Sequence, residues 1–247
     1  TGSGSAGMES AIMNTLMSND KALVINGGSF GERFVELLTL HRIPHTEIKL
    51  EYGRTLIYND LKRFENKGYT SLLINKLETS TGVHYDMDLV SDFCKRNNLF
   101  LIVDCVSSFL ADSFNMEELQ ADVMITGSQK ALALPPSMSF TILDEEAQKR
   151  CYTNKVKSMY FNYADYLKNG ERGQTPFTPA VGTLLQLHEK LLRIKKMGGI
   201  SVLNNLAREK AMYFRNGIKH LPLKMFVPSE YASNCVTALS PTNSSVN

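Results

Sequence analysis

Short apolar runs, each closed by a polar or glycine-bearing turn and followed by a helical stripe, constrain this chain most. Lys21-Ala-Leu-Val-Ile-Asn26 is one such run, closed by Gly27-Gly28. Phe34, Val35, Leu37 and Leu38 then share one face of a helix over residues 30–40. His45–Leu50 alternates as a strand, Leu56–Phe64 reads as a helix, and Thr70–Leu77 as a strand running into Glu78-Thr-Ser-Thr-Gly82. Asp86–Arg96 is a helix with acids in its first turn, where the helix dipole favours them. Leu99-Phe-Leu-Ile-Val-Asp104 and the run from Ala121 towards Lys130 are two more buried strands. Ser139–Leu143 follows the Pro135-Pro136 breaker, and Met8–Met17 carries a helical stripe ahead of them all. This rhythm predicts an α/β fold, with a mostly parallel sheet sandwiched by helices.

The pattern changes after residue 150. Tyrosines at 152, 160, 163 and 166 mark an aromatic, polar stretch that reads as an interface or packing cluster. A Gly/Pro-rich loop, Gly170–Pro179, leads into two long amphipathic helices over 181–196 and 200–220. Leu223–Leu239 reads as the strand-rich start of a smaller α+β domain. The expected division is a large domain over 1–198 and the start of a small C-terminal domain over 199–247.

Composition excludes several functions. A net charge of +2, without a basic run interleaved with aromatics, offers no argument for nucleic acid. No apolar run approaches the ~20 residues of a membrane span. The four cysteines form no CxxC and read as reduced, mostly buried thiols, so a cytoplasmic protein is expected. The five histidines show no metal-binding spacing, so no metal is expected.

If the strands ending at Asp104 and before Lys130 are parallel neighbours, an acid and a lysine meet at the sheet's carboxyl edge, where open α/β folds bind ligands. Taken alone, Asp104 is either a ligand-binding group or a solvated strand end, and Lys130 either a reactive amine or a loop lysine. The apolar Ala131-Leu-Ala-Leu134 behind Lys130 predicts partial desolvation, which makes an amine nucleophilic. The pair suits pyridoxal phosphate chemistry, in which a lysine forms the Schiff base and an acid holds the pyridinium nitrogen. Gly2-Ser-Gly-Ser-Ala-Gly7 is either a phosphate loop opening a helix or a tag remnant. Glu78–Gly82 offers hydroxyls to a cofactor or caps the next helix. Phe30 stacks on a planar ligand or packs in the core.

Five motifs bear on these alternatives together. Gly2-Ser-Gly-Ser-Ala-Gly-Met-Glu9, Asn26-Gly-Gly-Ser-Phe-Gly-Glu-Arg33, Glu78-Thr-Ser-Thr-Gly82, Val103-Asp-Cys-Val-Ser-Ser108 and Gly127-Ser-Gln-Lys-Ala-Leu132 follow the order and spacing of class V aminotransferases, as does Gln174-Thr-Pro-Phe-Thr-Pro179. The chain resembles the alanine–glyoxylate, serine–pyruvate and 2-aminoethylphosphonate–pyruvate group. The resemblance implies the fold type I of pyridoxal 5′-phosphate transferases. It also implies transamination between a small amino donor and a 2-oxo acid such as pyruvate or glyoxylate. On it, Lys130 is the Schiff-base lysine and Asp104 the partner of the ring nitrogen. Val106 and Phe30 cover the two ring faces, and Thr79 donates to the phenolic oxygen. Ser3, Gly4, Ser5 and Gln129 form the phosphate cup. Thr178, and Thr175 where many relatives carry tyrosine, reach the neighbouring subunit's phosphate, which implies a homodimer with shared sites. Ser137 stands where relatives commonly carry glycine.

The same resemblance implies further chain before the phosphate loop, and a small domain past residue 240 that carries the substrate-carboxylate arginine. A cysteine desulfurase-like lyase is the nearer alternative, although Gln129 stands where those enzymes carry histidine and the cysteines read as apolar. A non-catalytic protein of the same fold is the alternative from another class, and a dinucleotide-binding reading is weaker because no strand precedes Gly2.

Overall fold

A computed structural model describes residues 1–242. Helices α1 (Gly4–Thr15), α2 (Ser29–Leu40), α3 (Tyr58–Lys62), α4 (Met87–Asn97), α5 (Met116–Leu119), α6 (Glu145–Thr153), α7 (Tyr163–Gly170), α8 (Val181–Lys196) and α9 (Ile200–Gly217) alternate with strands for most of the chain. The strands are β1 (Ala22–Asn26), β2 (His45–Lys49), β3 (Ser71–Asn75), β4 (Leu77–Glu78), β5 (Val83–His84), β6 (Phe100–Asp104), β7 (Val123–Gly127), β8 (Ser139–Leu143), β9 (Leu223–Met225) and β10 (Leu239–Pro241).

Six strands form one sheet in the order β2-β1-β3-β6-β7-β8. The pairs β1–β2, β1–β3, β3–β6 and β6–β7 are parallel, and β8 joins the edge antiparallel to β7. β1, β3, β6 and β7 are buried along their whole length, which is why they read as unbroken apolar runs. Alternate side chains feed two cores. Leu23, Ile25, Leu72, Ile74, Leu101 and Val103 pack with Val90 and Phe93 of α4 on one face. Val24, Leu73, Ile102 and Ile125 pack with Met8, Ile12, Phe34 and Leu38 of α1 and α2 on the other.

Local signals account for most boundaries. Asp86 caps α4, accepting from the N–H groups of Asp88 and Leu89 at 3.0 and 3.2 Å. Asn98 closes the same helix in the left-handed region at φ 51°. The expected strand over Thr70–Leu77 is two strands in two sheets. The chain leaves the main sheet at Lys76, whose N–H still reaches the Asp104 carbonyl at 2.9 Å, and β4 pairs with β5 instead. The first helix starts at Gly4, ahead of its apolar stripe, because its first turn packs on Val106. The expected helix over Leu56–Phe64 shortens to α3. No helix among the described residues is long and apolar enough to cross a membrane.

Candidate active site

Because four parallel strands end together, the loops after β1, β3, β6 and β7 meet at one carboxyl edge. β1 leads to β2 on one side and the chain returns to β3 on the other, which is the kind of switch point where open sheets leave a crevice.

Asp104, the last residue of β6, is buried, and one carboxylate oxygen accepts the Val106 N–H at 2.8 Å. Burial pushes its carboxyl up to about 6. The Val106 N–H pulls the other way, Glu78 pushes up again, and the cations Arg33 and Lys130 pull down. Lys130 follows the β7 turn, and its carbonyl accepts the Ala133 N–H at 2.8 Å. The desolvation expected for Lys130 is not found. Its residue is exposed, because the run behind it turns tightly and buries only Leu132 fully. Gln129 is half-buried, and its Oε1 is buried without a partner.

Ser3, Gly4 and Ser5 form the start of α1, with Ser3 in the N-cap position. Gly2 ties this loop to the lysine loop by an N–H bond to the Ser137 carbonyl at 2.9 Å. The Ser137 hydroxyl lies 2.8 Å from that of Thr183, so the serine is accommodated. A Cβ on Gly4 would come within 2.8 Å of Val106, so only glycine lets the helix start approach the turn after β6. Thr79 donates to the Ser107 hydroxyl at 2.7 Å, which sets it beside the Asp104–Val106 turn. Phe30 is half-buried at the start of α2. None of the hydrogen bonds described for this group involves Thr175 or Thr178. They share a cleft with Tyr160 and Phe177, and the Thr175 hydroxyl bonds locally to the Phe177 carbonyl at 2.8 Å.

Two charged residues in the quoted motifs had no role assigned from sequence. Arg33 donates to the Ser5 hydroxyl at 2.9 Å and lies 5.0 Å from the centre of the Phe30 ring, so it places a cation beside the helix start. Glu78 is fully buried under the first turn of α2. Its carboxylate accepts the N–H groups of Gly31 at 3.0 Å, Phe30 at 3.2 Å and Ser80 at 3.1 Å, the Ser80 hydroxyl at 2.6 Å, and the Asn75 amide at 3.0 Å. Gly28 makes this approach possible, since a Cβ there would stand 2.6 Å from the Glu78 carboxyl carbon. A carboxylate gathering N–H groups that start a helix could not be found by local pattern, because its partners lie 47 and 48 residues away in the chain. Glu78→Ala leaves several buried donors unpaired. An unfolding free energy lower by about 3 kcal/mol is expected, read from denaturant melts. An unchanged midpoint would show that the Phe30 loop does not depend on it.

Three of the four cysteines are buried as expected, and one departs from the apolar setting read from sequence. Cys94, Cys105 and Cys151 are buried, but Cys235 is exposed as a residue, and its thiol has polar neighbours. It donates to the Ser107 carbonyl at 2.9 Å and lies 3.0 Å from the Ser233 hydroxyl.

This edge, with a lysine loop, a buried acid and a glycine-serine helix start, is the architecture of a pyridoxal phosphate transferase. The aminotransferase class-V family model matches residues 41–240, and the chain belongs to that family. It is 32% identical over 243 residues to a protein of Anabaena cylindrica named soluble hydrogenase 42 kDa subunit, covering 96% of this chain and 63% of the relative. It is 32% identical over 205 residues to an L-aspartate–glyoxylate aminotransferase of Paracoccus denitrificans, covering 79% of this chain and 51% of that one. The crystal structure of an aspartate aminotransferase from Thermus thermophilus superposes with a TM-score of 0.88 at 27% identity, over 97% of this chain and 66% of that one. The chain thus spans less than two thirds of each of these proteins.

Pyridoxal phosphate is the cofactor of this family, and the residues present fit it. Asp104 is a buried acid that an adjacent cationic ring nitrogen would hold ionised. The start of α1 is a glycine-serine loop with Arg33 beside it, suited to a phosphate. The unpartnered Gln129 amide adds a polar group at the same edge.

Proposed function

We propose that this chain carries the cofactor half of a pyridoxal phosphate-dependent transaminase. It would move an amino group between a small donor of the alanine, serine or 2-aminoethylphosphonate type and a 2-oxo acid such as pyruvate or glyoxylate. The observation that carries this reading is the convergence of Lys130, Asp104 and the α1 start at one sheet edge, in a chain of this family. When bound, the cofactor supplies an electron-accepting ring that stabilises negative charge at the substrate Cα. Ser3, Gly4, Ser5 and Gln129, with Arg33, would hold its phosphate at the positive end of α1. Val106 and Phe30 would hold the ring faces, and Thr79 would donate to the phenolic oxygen. Lys130 would anchor the cofactor through its amine, then take the proton from the substrate Cα and return it during transfer. Asp104 would keep a proton on the ring nitrogen by remaining ionised beside it.

In the same proposal, residues 1–198 form the large domain and 199–247 begin the small one. In support, β9 and β10 pair with each other, outside the main sheet. Thr175 and Thr178 would serve the partner's phosphate in a cytoplasmic homodimer. The test is titration of the full chain with pyridoxal phosphate. A visible band near ~420 nm, from the cofactor held by a lysine, is expected, followed by a screen of amino donors against pyruvate and glyoxylate. A protein that binds no cofactor would remove the proposal.

A second reading gains from Cys235, because a desulfurase-like lyase needs an accessible thiol near the lysine. Against it, that thiol donates to the Ser107 carbonyl and lies within hydrogen-bond distance of the Ser233 hydroxyl. Sulfide release from cysteine by the full chain would favour the lyase.

A further inference from the structure

After α9 the chain returns across the carboxyl edge as residues 232–238. Ala232 bridges to Val83, and the Ser233 N–H points to the Gly82 carbonyl at 3.5 Å. The strongest hold comes from Asp112, on the turn that follows Asp104. One of its oxygens accepts the Ser233 hydroxyl at 2.6 Å, and the other accepts the Asn234 N–H at 3.0 Å. Arg215 of α9 donates to the Ser233 carbonyl, and to the Thr237 hydroxyl at 3.2 Å. Cys235, next along, donates to the carbonyl of Ser107, whose hydroxyl already receives that of Thr79. Ser107 therefore touches the site on one side and the returning segment on the other, and the Lys130 charge is felt at the Cys235 thiol.

Asp112 plays no part in the chemistry described above. It is buried, the charges of Lys76 and Arg215 act on its carboxylate, and burial pushes the nearby His84 ring towards its neutral form. Lys76 is itself buried and donates to the Ser113 carbonyl. A buried carboxylate among cations is an expensive arrangement unless each group is paired, so the network specifies one position for the segment it grips.

We propose that Asp112 is a positioning residue that pins residues 233–235 against the Ser107 turn, making this segment the substrate-side wall of the Lys130 site. The nature of that site rests on the function proposed above, but the pinning does not. Cys235 reports on both. Although the residue as a whole is exposed, desolvation of the thiol itself lifts it to about 11, the Ser233 hydroxyl pulls it down and Asp112 pushes it up. Releasing the segment into water would restore up to about a hundredfold in thiolate at about pH 8.

The experiment is labelling of the full chain with an aromatic disulfide reagent, in wild type and in Asp112→Asn and Ser233→Ala. Cys235→Ser identifies the reporting thiol. At least about tenfold faster labelling is expected in both variants, since thiolate controls the rate. Ser233→Ala decides the sign. Removing its hydroxyl from a segment that stays in place raises the thiol pKa and slows labelling, so faster labelling means release. It also carries the test if Asp112→Asn fails to fold. Unchanged or slower labelling in Ser233→Ala overturns the pinning. For the wall, pyridoxal phosphate followed by alanine should slow wild-type labelling. In Ser233→Ala the donor KM should rise about tenfold while the visible band and cofactor affinity hold, a split that marks lost substrate binding. A protected thiol in a protein that binds no cofactor would sink the proposed function and leave the pinning intact. Bound cofactor with no protection and no KM change would sink the wall.

Discussion

If Lys130 is the anchoring amine proposed above, Lys130→Ala is expected to abolish the visible band and to lower transamination by about 10⁴-fold, the upper range for a lost proton-transfer group. The effect is separable from folding. Lys130 is exposed on a turn held by backbone bonds, and surface substitutions usually shift stability by no more than about 0.5 kcal/mol. The expected result is therefore a protein with a wild-type melting temperature, bound phosphate-bearing cofactor of reduced affinity, and almost no turnover. Small primary amines supplied in solution should restore part of the rate, because they replace the missing base. A variant retaining a tenth of wild-type activity would show that Lys130 is not the reacting amine. Absorption spectra and single-turnover kinetics on the same sample decide the matter.

Asp104→Asn is expected to separate stability from activity. Burial raises this carboxyl from 3.8 to about 6, so the folded protein binds the proton more tightly than the unfolded chain. Its contribution to stability is complete below about pH 4 and is lost as pH rises through about 6, a cost on the order of 2–3 kcal/mol at neutral pH. Without cofactor, Asp104→Asn should thus be more stable than wild type near pH 8, and the difference should vanish near pH 4. The asparagine oxygen still accepts the Val106 N–H. With cofactor the order should reverse if the carboxylate pairs with a cationic ring nitrogen as proposed, and transamination should fall by roughly 10²–10³-fold, as for other lost charge-stabilising groups. Denaturant midpoints across pH, with and without pyridoxal phosphate, are the measurement. A stability gap that does not change with pH would mean that Asp104 is not held protonated by burial.

Much of the fold was legible because its signals are local. Lys21–Asn26 and Leu99–Asp104 stand out as runs buried on both faces, and β1 and β6 occupy them almost residue for residue. The helix over 181–196 was bounded correctly by its stripe alone. Local patterning did not show that β8 runs antiparallel, since an edge strand carries the same short apolar signature in either direction. It also missed the break at Lys76, which exists because Glu78 must turn beneath α2.

The candidate site divides in the same way. Lys130 and Asp104 could be named because a strand end is a readable position, and Gly4 because a glycine-serine run before a helix is a recognisable composition. Arg33, Glu78 and Asp112 carried no such mark. Each acquires meaning only from a partner far along the chain, Ser5 for the first, Gly31 for the second and Ser233 for the third. Lys130 was expected to be shielded by its apolar neighbours, yet a turn one residue later sends most of those side chains outwards. By itself, the sequence determined which segments become strands and helices and which residues stand at their ends, because backbone periodicity and glycine sterics act over a few residues. Only the tertiary structure decided which ends meet, which acid is buried and which segment contacts the turn after Asp104, because hydrogen bonding and desolvation depend on neighbours that the chain brings together only by folding.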